Sequence, residues 1–228
     1  MEKKKAWERA YNYVKTLILT MELKPGELVS EYSIANKLSM SRAPVREALK
    51  KLEQEGLLVS SANGRRRVFI LTIRDIEQIF DLKEILESAI VEWAIERGTE
   101  DEKEELYQTA QRMLSLFSEK NLAQLDRESI LKKWLQLDFQ FHELIYRMSR
   151  NPRAANFVKN LNDQWQRLRQ ALLVLEGRLE KSSHEHAEIA SAIVKNDKQA
   201  AVTAMKSHLL SIRKTLISVL KAFNFPQY

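Results

Sequence analysis

Residues 41–56 constrain the fold more than any other stretch. Val45, Ala48, Leu49 and Leu52 recur at i, i+3, i+4 and i+7, the spacing of one apolar helix face. Arg42, Arg46 and Lys50 recur every four residues and lie on a different face. Ser41 is placed to cap the first turn, Pro44 is tolerated there because early N–H groups lack helical partners, and Gly56 follows as a C′ residue. The pattern predicts a short helix buried along one side, with two guanidinium groups near its N-terminal end. Arginine is suited to bidentate contact with guanine O6 and N7 or with phosphate. A solvated surface helix carries the same kind of charge run, so the flanking sequence has to decide between the two.

Upstream, Tyr11, Val14, Leu17, Ile18 and Met21 predict a first helix, ended by a turn at Lys24-Pro25-Gly26. Leu28-Val29 is a short apolar piece, and Ser30 caps a second helix carrying Ile34, Ala35 and Leu38. Ser39-Met40 is a tight link into the basic helix, so these two helices form a helix-turn-helix. Downstream, Leu57-Leu58-Val59 and Val68-Phe69-Ile70 flank a polar turn from Ser60 to Gly64 and the run Arg65 to Arg67. This reads as a β-hairpin wing with positive charge, Arg65 included, where a wing meets a DNA backbone or minor groove.

The charge distribution agrees. Residues 1–71 hold 14 Lys and Arg against 8 Asp and Glu, whereas residues 72–228 hold 23 of each, so the net charge of +6 lies wholly in the first third. A basic small domain (1–71) followed by a neutral larger one (72–228) suggests a polyanion-binding module with a separate partner domain. The absence of cysteine excludes disulfides and thiolate metal sites and fits a cytoplasmic setting. No apolar run approaches the length that spans a bilayer.

Beyond Thr72 to Asp75, helical periodicity continues almost to the C-terminus, and with only 5 Gly and 4 Pro the chain has few turns. Ile76, Ile79, Phe80, Leu82, Leu86, Ile90 and Trp93 mark one long helix ending near Gly98. Leu106 to Phe117 and Leu131 to Met148 mark two more, the latter broken at Asn151-Pro152. Phe157, Leu161, Trp165, Leu168 and Leu172 mark a fourth, and Ile189 to Ile193 and Ala201 to Leu220 belong to the last two. The fold class is therefore mainly α: a winged helix-turn-helix followed by an antiparallel all-α bundle.

In that bundle Asp138 and His142, at i and i+4, point the same way from a stripe otherwise made of Leu131, Trp134, Leu135, Phe141, Ile145 and Met148. His186 shares a face with Ile189, Ala190 and Ile193, and His208 lines up with Ala204, Met205 and Ile212. His184 falls on the polar side. A buried carboxylate needs a cation. A divalent metal held by Asp138, His142, His186 and His208 would supply one, with a donor set suited to zinc and also to nickel, manganese or iron. The spacing equally allows satisfied core histidines, with Asp138 paired to Lys83 or Arg167.

Two resemblances bear on these alternatives. Pro25 to Leu28, Glu31 with Ile34-Ala35, Ser41 to Leu49 and Leu52 to Leu57 resemble the N-terminal domain of GntR-family transcription regulators. The resemblance implies DNA contacts at Ser41, Arg42 and Arg46, with Ala43 and Pro44 at the helix tip and Gly64 at the wing tip. Tyr32 stands where some members carry a DNA-contacting arginine. Phe80 to Glu87, Asp138 to His142, Asn151 to Arg153, Glu185-His186 with Ala192-Ile193, and Met205 to Leu209 resemble the FCD effector domain of the FadR subfamily. That resemblance implies a metal on Asp138, His142, His186 and His208, and a small organic acid whose carboxylate also meets a cation. Lys83, a point charge and not a planar fork, occupies the place of the family's arginine.

Together these expectations describe a homodimeric transcription regulator that binds a near-palindromic double-stranded operator and is biased by a small carboxylate metabolite. Two rivals are a metal-dependent hydrolase on a helical bundle and a structural DNA-binding dimer that senses nothing. The first lacks a His-Glu-x-x-His motif, and the second leaves three inward histidines without a purpose.

Overall fold

The computed structural model describes residues 2–60, 64–173, 175 and 177–222. The chain divides into two compact units, one of residues 1–72 with 160–168, the other of 73–159 with 169–225.

In the first unit, α1 (Glu2–Leu19), α2 (Glu31–Lys37) and α3 (Arg42–Gln54) surround one apolar core, joined by a sheet of β1 (Leu28–Val29), β2 (Leu58–Ser60) and β3 (Arg66–Val68). Val45, Ala48, Leu49 and Leu52 of α3 are fully buried and pack with Ala10, Val14 and Ile18 of α1 and with Ile34 and Ala35 of α2. Met21, expected on the apolar face of α1, instead lies past its end with φ +64 and is exposed. Ser30 caps α2, its hydroxyl accepting from the Ser33 amide, whereas Ser41 stands at the N-cap of α3 without a side-chain capping bond. Gly56, with φ +74, follows the last turn of α3 in the left-handed conformation that favours glycine.

The sheet departs from a plain hairpin. Its order is β1-β3-β2, all antiparallel, with Leu28 opposite Arg67 and Val59 opposite Arg67 on the other side. The second strand of the wing therefore runs through Arg66–Val68, earlier than the apolar run Val68-Phe69-Ile70 suggested. The reason is pairing with β1: the Val68 amide donates to the Glu27 carbonyl and the Gly26 amide to the Val68 carbonyl, both at 2.9 Å. Two of the three arginines lie in a strand and not at a tip. Residues 61–63 of the expected turn lie outside the described residues.

The second unit contains α4 (Ile73–Arg97), α5 (Glu100–Ser115), α6 (Glu119–Gln124), α7 (Arg127–Met148), α9 (Arg178–Val194) and α10 (Lys198–Ala222), with the first part of α8 (Pro152–Leu173). Helix α4 packs on α10 and α7, α5 packs on α9 and α7, and α9 packs on α10. The turns follow local chemistry. Thr99 and Glu102 form a capping box that opens α5, Asp126 caps α7 by accepting from the Ser129 amide, and Pro152 occupies the first position of α8. Helix α6 was not expected; six residues are too few to display a period.

The inward face of α4 also differs from the expected one. Leu82 is half exposed, while Lys83 and Glu87 are buried in line with Ile76, Phe80, Ile90, Val91 and Ala94. The stripe that follows the helical period runs through two charged residues, which a search for apolar positions skips. Phe157, assigned by its spacing to the core of α8, is exposed, and the side chain of Leu172 lies outside the described residues. Among the described residues no helix is long and apolar enough to cross a membrane.

Gly98 joins α4 to α5 in a place with no room for a side chain. A Cβ there would meet the Ala94 carbonyl oxygen at 2.6 Å and Met148 Cε at 2.9 Å. Gly98→Ala is therefore expected to destabilise the protein by about 1–3 kcal/mol, the cost typical of overpacking. Urea denaturation checks this: the midpoint should fall while the slope stays constant.

Candidate metal centre and nucleic-acid face

Because α3 buries its apolar stripe, its other side is presented outward. Ser41, Arg42, Ala43, Arg46 and Lys50 are exposed and Pro44 is half-buried. Gly64, with φ +73, and Arg65 are exposed on the wing, and Tyr32 is exposed on α2. The guanidinium groups do not float free. Arg46 Nε lies 3.3 and 3.2 Å from the two carboxylate oxygens of Glu31, and Arg42 Nη2 lies 3.4 Å from one of them. Arg66 Nη1 reaches Glu31 at 3.1 Å and its Nε reaches Glu53 at 3.1 Å. Burial tends to raise the Glu31 carboxyl pKa, but the hydrogen bonds and charge of Arg46, with those of Arg42 and Arg66, outweigh it and hold the group below its ordinary value. Glu31 did not stand out in the sequence as a partner of these arginines, since it lies on another helix.

In the second unit, Asp138 and His142 come from α7, His186 from α9 and His208 from α10. Asp138, His186 and His208 are buried and His142 is largely so. His142 Nε2 lies 3.2 Å from His186 Nε2, and Asp138 Oδ1 lies 3.6 Å from His186 Nε2 and 3.9 Å from His142 Nε2. One ring nitrogen from each of His142, His186 and His208 falls within 4.8 Å of the other two. The four side chains expected to act together are thus brought together. His184 is exposed and stands apart.

The partners of the outer ring nitrogens restrict the chemistry. His186 Nδ1 is 2.7 Å from the Ser182 carbonyl oxygen, which only accepts, so Nδ1 carries the hydrogen and a neutral ring turns a lone pair inward at Nε2. His208 Nδ1 is 2.8 Å from Glu185 Oε2, a carboxylate that Arg178 also grips at 3.2 and 3.3 Å. Burial raises the Glu185 pKa, but the hydrogen bond and charge of His208, with Arg178, hold it down at about 2. Burial likewise keeps His142 below the ordinary histidine value and His186 well below it, favouring neutral rings. His142 Nδ1 faces Glu87 Oε2 at 4.0 Å, and both atoms are buried without a hydrogen-bond partner among the described residues. Glu87 Oε1 is held by Lys83 Nζ at 2.6 Å.

This donor set fits a divalent transition metal. Zinc–nitrogen bonds of about 2.0–2.1 Å in a tetrahedron place neighbouring donors roughly 3.3–3.4 Å apart. The observed separations of 3.2, 3.6 and 3.9 Å bracket that value. Acceptors behind His186 and His208, and the Glu87 carboxylate behind His142, are what ligating imidazoles require of their outer nitrogens. Glu87, Glu185 and Arg178 were missed as members of the site. The i, i+4 pairing of Lys83 with Glu87 was a signal available in the sequence. The side chain of Arg167, named above as a partner for Asp138, lies outside the described residues.

Comparison with known proteins agrees with both halves. The description "Bacterial regulatory proteins, gntR family" matches residues 6–70, and "FCD domain" matches residues 78–211. The chain is similar to the uncharacterized HTH-type transcriptional regulator YdhC of Bacillus subtilis (strain 168), 29% identical over 88% of this chain and 84% of YdhC. It is similar to the Nta operon transcriptional regulator of Aminobacter aminovorans, 25% identical over 85% of this chain and 86% of that one. Its fold is like that of E. coli McbR/YncC, with a TM-score of 0.73 over 93% of this chain and 97% of that chain at 19% identity. Both sequence relatives are named as transcriptional regulators. The chain, with its winged helix-turn-helix and FCD domain, belongs to the GntR family and is a DNA-binding transcriptional regulator.

Proposed function

We propose that this regulator is ligand-responsive, with a divalent metal, zinc before nickel, manganese or iron, bound by Asp138, His142, His186 and His208. The observation that carries this reading is the convergence of three imidazoles on one buried carboxylate, with acceptors already placed behind two of the rings. By expanding its coordination beyond these four donors, such a metal would act as a Lewis acid toward the carboxylate of a small organic acid. Lys83, whose buried ammonium donates to Glu87 Oε1 at 2.6 Å, is the second cation for that acid, in the place where the family resemblance sets an arginine. Occupancy of the site changes operator affinity.

On the DNA side, Ser41, Arg42, Ala43, Pro44 and Arg46 form the contact surface of α3, and Gly64 and Arg65 that of the wing. The regulator acts as a homodimer on a near-palindromic operator. Leu82 and Ile85 on α4 and Leu210 on the adjacent α10 are about half exposed or more, apolar area that a second copy would cover.

Two measurements test these assignments. An operator fragment selected from a random library by the wild-type protein should bind Arg42→Ala and Arg46→Ala more weakly by about 1–3 kcal/mol each, with helical circular dichroism unchanged. Equal affinity would refute the assignment of α3. Chelation should lower the melting temperature, since a ligand at a hundred times its Kd stabilises by about 2.7 kcal/mol. Added zinc should restore the melting temperature, and His186→Ala should no longer respond while His184→Ala responds fully. Melting indifferent to chelator and zinc would refute the metal site.

A further inference from the structure

Three arginines from two different elements converge on one carboxylate at the DNA face. Arg42 and Arg46 come from α3 and Arg66 from β3, and each lies within 3.4 Å of Glu31, the first residue of α2. Glu31 is mostly shielded from solvent, with 18% of its side chain exposed, whereas Arg42 and Arg46 are 59% and 60% exposed. The carboxylate is thus a fixed point from which long, mobile side chains extend. An unrestrained arginine loses about 2 kcal/mol of rotamer freedom when it is fixed against a base. One held beforehand loses less on binding.

The geometry at Arg46 is more specific. Its Nε and Nη2 both face Glu31, the latter at 3.2 Å, so the inner edge of the guanidinium is taken. The outer edge, formed by Nη1 and the second hydrogen of Nη2, remains to make a two-bond contact. That edge matches guanine O6 and N7. Arg66 is held similarly, between Glu31 and Glu53, and at 17% exposure it is more buttress than contact.

We propose that Glu31 is a positioning residue for operator recognition: it clamps Arg46, and more loosely Arg42, in a base-reading posture and cancels part of their charge. This rests on the reading of α3 as the DNA-contacting helix. Without the carboxylate, the same arginines would be free to follow phosphates, which carry no sequence information. Removing Glu31 should therefore leave total affinity for DNA intact or raised while discrimination falls, the opposite of what loss of a simple contact gives.

The test compares binding of the full-length protein to its selected operator and to an unrelated duplex of equal length, across a salt series. Glu31→Gln is expected to lower the ratio of operator to unrelated-DNA affinity at least tenfold. It should also tighten binding to the unrelated duplex and steepen its salt dependence, by about 0.9 in log–log slope for each arginine that gains a phosphate. Glu31→Asp, which keeps the charge on a shorter arm, should give an intermediate ratio, and it serves as the probe if the Gln variant proves unstable. Ratios within twofold of wild type for both variants, with Arg46→Ala impaired, would overturn the role of Glu31 alone. If Arg46→Ala is unimpaired too, the DNA-contact reading of α3 fails and the proposal with it.

Discussion

The helical unit of this regulator is built around ionisable groups that its core has to neutralise. Asp138, Glu87, Lys83, His186 and His208 are all buried, beside Phe80, Phe141 and Trp134. Removing an ion from water costs several kcal/mol even after relaxation, so such groups persist only where partners surround them. Lys83 and Glu87 neutralise each other, Ser182 fixes His186, Glu185 with Arg178 fixes His208, and Trp134 donates to Ser183 at 2.9 Å. These arrangements turn nitrogen lone pairs inward beside Asp138, a donor set suited to the proposed divalent cation. Without one, the 3.2 Å approach of His142 to His186 requires a proton on His142 Nε2, which turns a bare Nδ1 toward the Glu87 carboxylate. A metal held at Nε2 would leave the hydrogen on Nδ1, on the side of the Glu87 carboxylate.

A comparable economy governs the basic unit. Its excess charge is concentrated on the outer side of α3 and on β3, where repulsion among Arg42, Arg46 and Arg66 would otherwise splay the side chains. Glu31, kept ionised by those same arginines, gathers them. The third strand contributes as well, since pairing of β3 with Leu28-Val29 places Arg66 beside Glu31 instead of at the tip of the wing.

Much of this was legible in the sequence. The two stripes of α3, the Ser30 cap, the helix stop at Gly56 and the shared inward direction of Asp138 and His142 each follow from local spacing, and the structure has them. What was not legible depends on contacts remote in the chain. The two-residue strand β1 has no periodicity to read, and only its partner reveals it. Helix α6 is too short to show a pattern. On α4 the apolar rule selected Leu82 and passed over Lys83 and Glu87, because charged residues are placed inside only when partners such as His142, on another helix, await them. Ser41 was a good cap by composition, yet its hydroxyl makes no capping bond. The convergence of Arg42, Arg46 and Arg66 on Glu31 spans separations of 11, 15 and 35 residues, beyond any local signal.

The most direct test of the metal centre is a titration of chelator-stripped protein with cobalt(II), followed by its visible absorption. Saturation at one ion per chain is expected, with the absorption displaced by zinc and absent from an Asp138→Asn, His186→Gln double variant that remains folded. Failure of the wild-type protein to bind cobalt, or undiminished binding by the double variant, would contradict the assignment of these residues as ligands.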